Sequence, residues 1–136
     1  MYEFFEHTAD LGLRVRAPDL NGLFRDAAAG LFAMIVEQPP ETGPSSFREF
    51  EIEGSRRDYL LFDWLNELLF VFETERLLFG DFEVEVGREG LTARTRAWPL
   101  DPQRDRTLHE VKAITYHGLR VEQSAHGWLA ELIVDI

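Results

Sequence analysis

The chain has 136 residues and no cysteine, which allows one domain with a real core and removes disulfides, thiolate nucleophiles and sulfur-ligated metal sites. Its 14 Lys plus Arg face 25 Asp plus Glu, a net charge of −11 that repels phosphate backbones and disfavours direct binding of RNA or DNA. A basic protein partner, or a cation, fits that charge better.

The first residues, Met1-Tyr-Glu-Phe-Phe-Glu6, are strand-like and lack the basic and apolar regions of a signal peptide. Tyr2 to Phe5 is a short apolar strand, and Leu11, Leu13 and Val15 alternate with Gly12, Arg14 and Arg16 in a second. Asp19 then caps a helix whose apolar positions (Leu20, Leu23-Phe24, Ala27-Ala28, Leu31, Met34-Ile35) repeat every three or four residues, with Pro39-Pro40 as its stop. A loop over 39–46 leads to an alternating strand over 47–53. A second helix is expected from about Arg57 to Arg76. Its apolar flank at Phe62, Phe70 and Val71 widens the stripe enough to imply burial on most sides, inside a sheet that curls around it.

Phe82, Val84 and Val86, then Leu91, Ala93, Thr95 and Ala97, read as a hairpin turning at 87–90. A polar loop over 99–106 follows. The closing hairpin carries Leu119 and Val121, turns near His126-Gly127 and returns through Trp128, Ala130, Leu132 and Val134. No apolar run approaches the roughly 20 residues that span a bilayer, since Asp63, Asn66 and Glu67 interrupt the longest. The expectation is a cytoplasmic α+β single domain over 1–136, with two long helices packed on a largely antiparallel, curled or barrel-like sheet.

Three features carry chemistry. The first is composition: Lys112 is the one lysine beside 13 arginines. Arginine replaces lysine freely on a solvated face, but not where a compact ammonium is needed. Read plainly, one lysine escaped a drift toward arginine. Read sharply, Lys112 touches a ligand, a metal-bound anion or a partner that rejects a guanidinium. It lies in Glu110-Val-Lys-Ala-Ile-Thr-Tyr-His117, a stretch readable as strand or as one short helix.

The second is His7-Thr8-Ala9-Asp10, in the connection between two strands where side chains are aimed rather than packed. The third is the closing Val134-Asp-Ile136, where the Asp135 carboxylate and the oxygens of Ile136 crowd a strand end. Two carboxylates that close repel unless a cation intervenes, and hard ions such as Ca²⁺, Mg²⁺ or Mn²⁺ bind all-oxygen clusters. An ordinary acidic terminus is the plainer reading.

These motifs together, with Leu23-Phe24 and Ala27-Ala28 in the first helix and Leu61 through Trp64-Leu65-Asn-Glu-Leu-Leu69 in the second, resemble the archease family across essentially the whole chain. One departure is Ala97-Trp98, where the family often shows Gly-Glu. The resemblance implies a non-catalytic accessory protein of the RtcB-type RNA ligase of tRNA splicing. Such a protein promotes guanylylation of the ligase and multiple turnover. It further implies metal-binding aspartates at Asp10 and Asp135, an oxygen from Ile136 and a functional lysine at Lys112. His7, Thr8, Thr115 and His117 are candidates to orient the carboxylates by hydrogen bonds, the plainer reading being capped-loop or core polar residues. A small metal-dependent hydrolase and a general chaperone-like module are the alternatives.

Overall fold

The computed structural model describes residues 1–7 and 10–136. In chain order the elements are β1 (Tyr2–His7), β2 (Asp10–Ala17), α1 (Leu20–Ile35), β3 (Ser46–Glu53), α2 (Arg57–Glu75), β4 (Leu77–Val86), β5 (Gly90–Pro99), β6 (Ala113–Ile114), β7 (Arg120–Ser124) and β8 (Gly127–Asp135). The class is α+β, and the strand pairs are antiparallel. Among the described residues there are two sheets rather than a closed barrel. One runs β1-β2-β8-β6, with β7 also on β8, and the other runs β3-β5-β4.

The first helix begins where its cap residue says. Asp19 is extended and its carboxylate accepts the Gly22 N–H at 2.7 Å. It ends at Ile35, four residues before the proline pair, because Val36 turns extended and bridges to Thr107. The final carbonyls of α1 find partners in that same segment: Leu108 N–H donates to Ile35 and His109 N–H to Met34. The chain is thereby held along the end of α1 on its way to Lys112.

Sequence periodicity assigned the enclosed position to the wrong helix. It is α1 that is surrounded, packing on β1, β2 and β8, on β4 and on α2. Its Leu23, Phe24, Ala27, Ala28 and Leu31 are fully buried. By contrast α2 keeps a solvent face of Tyr59, Asp63, Asn66, Glu67, Phe70 and Glu73. Of the apolar flank that suggested burial, Val71 is buried and Phe62 half-buried against the core, but Phe70 is exposed, as is Tyr59. The inner face of α2 does its expected work: Trp64 is buried, stacks edge-on with Phe50 and Phe82, and donates its indole N–H to the Phe24 carbonyl at 3.1 Å. Phe32 of α1 gathers Phe72, Phe79 and Phe82 around it.

The strand expected at Phe82 starts earlier, at Leu77, because a bulge lies within it between Gly80 and Glu83. Asp81 there adopts φ 50°, and the Thr95 hydroxyl donates to the Gly80 carbonyl at 2.8 Å. The loop before Lys112 is tied by a buried carboxylate. Asp105 accepts from Arg104 Nη2 at 2.7 Å and from the Asp101 N–H at 2.9 Å. Arg104's hydrogen bond holds the Asp105 carboxyl below its ordinary range, against the opposing pull of burial.

Candidate functional site

Register brings the separated acidic motifs together. In β2 and β8, Leu11 pairs with Val134 and Arg14 with Glu131. One step beyond Leu11–Val134 stand Asp10 and Asp135, on adjacent strands at the same end of the sheet. Opposed side chains on such strands lie about 5 Å apart. The other neighbour of Asp135 is β6: Ala113 pairs with it, and the Lys112 N–H donates to the Asp135 carbonyl at 2.8 Å. β1 supplies the remaining side, since His7 pairs with Asp10. Three short sequence motifs thus meet at one sheet end.

Strand alternation fixes which face they share. Asp10 and Asp135 have the parity of Arg14 and Glu131, and that pair is an ion pair at 2.8 Å on the outer face. Arg14 also reaches Glu3 at 3.3 Å, and Arg120 pairs with Glu131 from β7. Burial tends to raise the Glu131 carboxyl, but the hydrogen bonds from Arg120 and Arg14 prevail and hold it below its ordinary range. Between this ladder and the two aspartates, Phe5 lies over Gly12, where an added Cβ would come within 2.3 Å of the ring. The outer face is therefore salt-bridged in its middle and carries two carboxylates, without such arginines, at its end.

Around those carboxylates the polar side chains are disposed as follows. His7 Nδ1 lies 3.7 Å from Asp10 Oδ2, and the His7 and His117 rings meet at 5.3 Å in an edge contact. His7 Nδ1 is buried and has no hydrogen-bond partner among the described residues. The Thr115 hydroxyl donates to the Ile133 carbonyl at 2.8 Å and accepts the His117 N–H at 3.2 Å, so it positions His117 and touches neither aspartate. Thr8 lies outside the described residues. Lys112 is exposed and forms no ion pair among the described residues; what ties it to the site is its main chain. Ile136 packs half-buried against the core.

The donor set suits a hard cation in kind. It offers two carboxylates and main-chain oxygen, with the unpartnered His7 nitrogen set against one carboxylate rather than among the oxygen donors. Among the described residues no three His, Asp or Glu side chains come close enough to hold an ion by themselves. Any ion here would draw further oxygens from main chain or water.

A sequence model of the archease protein family (MTH1598/TM1083) matches residues 2–136. The chain belongs to the archease family. It is 40% identical to the protein archease of Methanopyrus kandleri, covering 99% of each chain. It is 34% identical to that of Sulfurisphaera tokodaii, covering 99% of this chain and 98% of the other. The solution structure of Methanobacterium thermoautotrophicum protein 1598 superposes with a TM-score of 0.80 at 31% identity, covering 99% of this chain and 98% of that one. An archease from Thermotoga maritima has the same fold, with a TM-score of 0.68 at 19% identity.

Sequence motifs alone missed the archease chain's aromatic corner beside the site. Tyr116, between Thr115 and His117, stacks on Phe62 of α2 at 4.0 Å and meets Tyr59 edge-on at 5.7 Å. The signal was present as Tyr59 and Phe62 on α2 and Tyr116 in the lysine motif, but only folding joins them.

Proposed function

We propose that this archease-family protein is a non-catalytic, metal-binding activator of an RtcB-type RNA ligase, promoting guanylylation of the ligase and multiple turnover in tRNA splicing and RNA repair. The observation that carries this reading is the meeting of Asp10, Asp135 and the Lys112 main chain at one sheet end, in a chain with the family's full extent. A divalent ion (Ca²⁺, Mg²⁺ or Mn²⁺) would be held by Asp10 and Asp135 with an oxygen of Ile136, and when bound would supply positive charge for phosphate oxygens.

The chain's own residues divide the remaining work. Asp10 and Asp135 concentrate negative charge at the tip. His7, oriented by its edge contact with His117, faces Asp10 and limits the positions that carboxylate can take. Lys112 presents an exposed, rotatable ammonium next to the strand end, able to meet a phosphate or to offset the aspartate pair. The net charge of −11 favours a basic protein partner over RNA itself.

The test is formation of the ligase–guanylate adduct from GTP and divalent metal, followed with and without this protein. Faster or more complete adduct formation is expected, with no phosphoester turnover by the protein alone. An unchanged adduct yield would refute the activator reading, and hydrolysis by the isolated protein would favour the hydrolase.

A further inference from the structure

The geometry points to the aromatic corner where α2 meets the segment before β7 as a docking surface for an arginine-bearing loop of the partner ligase, an inference that rests on the activator reading above. Two large aromatic side chains are exposed here, Tyr59 at 45% and Tyr116 at 60%, and Phe70, at 57%, follows about three turns along α2. Exposed aromatics gathered in this way mark contact surfaces far more than they stabilise a monomer. The Tyr116 ring stacks flat on Phe62, with 16° between planes, so it is fixed in place before any partner arrives.

Beside these rings lies a hollow of about 490 Å³ lined by Arg56, Asp58, Tyr59, Tyr116 and Leu119. Its chemistry is displayed by the protein's own arginine. The Arg56 guanidinium sits 4.2 Å from the Tyr59 ring centre and donates to Asp58 at 2.9 Å. Aromatic face plus carboxylate is the combination that binds a guanidinium. Tyr116 offers a second ring at 86° to Tyr59. Arg56 itself is mostly exposed, and an incoming guanidinium would displace it from Asp58 and the Tyr59 ring.

Charge and position choose the occupant. The same face of α2 carries Asp63 and Glu67 between Tyr59 and Phe70, and Glu73 just beyond, all exposed. An acidic aromatic surface repels nucleic acid and attracts a basic protein segment. The corner is also continuous with the candidate site: Tyr116 is flanked by Thr115, anchored to Ile133, and by His117, in contact with His7. A loop docked on Tyr116 would bring the ligase against the Asp10–Asp135 tip.

The experiment titrates the intact protein into an RtcB-type ligase by calorimetry at low and high salt. The double variant Tyr59→Ala/Tyr116→Ala should weaken binding about tenfold or more. Tyr116→Phe should stay within about twofold, because the ring face is kept. Asp63→Lys, at an exposed position that leaves the fold intact, should weaken binding several-fold, mainly at low salt. Glu85→Lys, on the far sheet, should change nothing. Unaltered affinity in both the double variant and Asp63→Lys, with wild type still binding and stimulating, would overturn the docking surface alone. Failure of the wild type to bind the ligase would overturn it together with the activator reading. RNA binding or self-association that the double variant abolishes would also overturn it, by assigning the corner to another occupant.

Discussion

Asp135 is bonded through its carbonyl to the Lys112 N–H, stands beside Asp10 in register, and belongs to the most central strand of its sheet. Removing either charge takes one anionic oxygen donor from a site that has few. Asp10→Asn and Asp135→Asn should each weaken divalent-ion binding at least about tenfold by calorimetry, with little change in melting temperature. Equal affinity in both variants and wild type would place the ion elsewhere. Lys112 makes a different demand. It is exposed, so Lys112→Arg should cost under about 0.5 kcal/mol in stability. Charge is conserved, yet a planar guanidinium is wider than an ammonium, and stimulation of ligase guanylylation should fall to a small fraction of wild type. Arg88→Lys, in the β4–β5 turn, should lose none. Full stimulation by Lys112→Arg would reduce the residue to its charge.

At the scale of elements, packing is specified by a few contacts that are easily tested. Trp64→Phe removes the indole N–H that joins α2 to the Phe24 carbonyl, and should cost about 1–3 kcal/mol in a urea titration. Gly127, with φ 136°, turns β7 into β8, and a Cβ there would stand 2.4 Å from the Ala17 carbonyl oxygen. Gly127→Ala should therefore lose at least about 2 kcal/mol; a wild-type urea midpoint would show that the turn relaxes freely. These elements also mark how far sequence reaches. The first helix was legible because its cap, period and breaker agree. The bulge at Gly80-Asp81 hid the start of β4, since glycine followed by aspartate reads as a turn. The enclosure of α2 was misjudged because periodicity counts apolar residues and cannot separate a core stripe from an exposed aromatic face such as Tyr59 and Phe70. The site was half legible. Motifs named Asp10, Asp135 and Lys112, but their adjacency is a matter of strand register, and only two residues of the lysine segment, Ala113 and Ile114, join a sheet. The approach to that segment, Leu108 and His109, is held by the end of α1, and Lys112 and Thr115 by β8, long-range contacts with no local signature.

At the scale of the molecule, an excess of acids is tolerated because certain carboxylates are bound to arginines. Asp105 with Arg104, and Glu131 with Arg14 and Arg120, are held below their ordinary range when folded. Their contribution is complete above the ordinary values of 3.8 and 4.5, and it is lost as pH falls through the lower folded values. Urea midpoints should therefore be level near neutrality and drop below about pH 4. In Arg104→Met the buried Asp105 loses its cationic partner and keeps only the Asp101 N–H, costing about 1–3 kcal/mol at pH 7 and progressively less toward acid; a pH-independent difference would contradict the pairing. Among the described residues no helix is long and apolar enough to cross a membrane, and a net charge of −11 favours a basic partner over nucleic acid. The most direct measurement is the number of RNA ends joined per ligase molecule, with the ligase limiting and GTP and metal in excess. With wild-type protein present the count should rise well beyond one, and with Lys112→Arg it should stay near the value for ligase alone. The same count with wild-type protein, with Lys112→Arg and with no added protein would contradict the activator role.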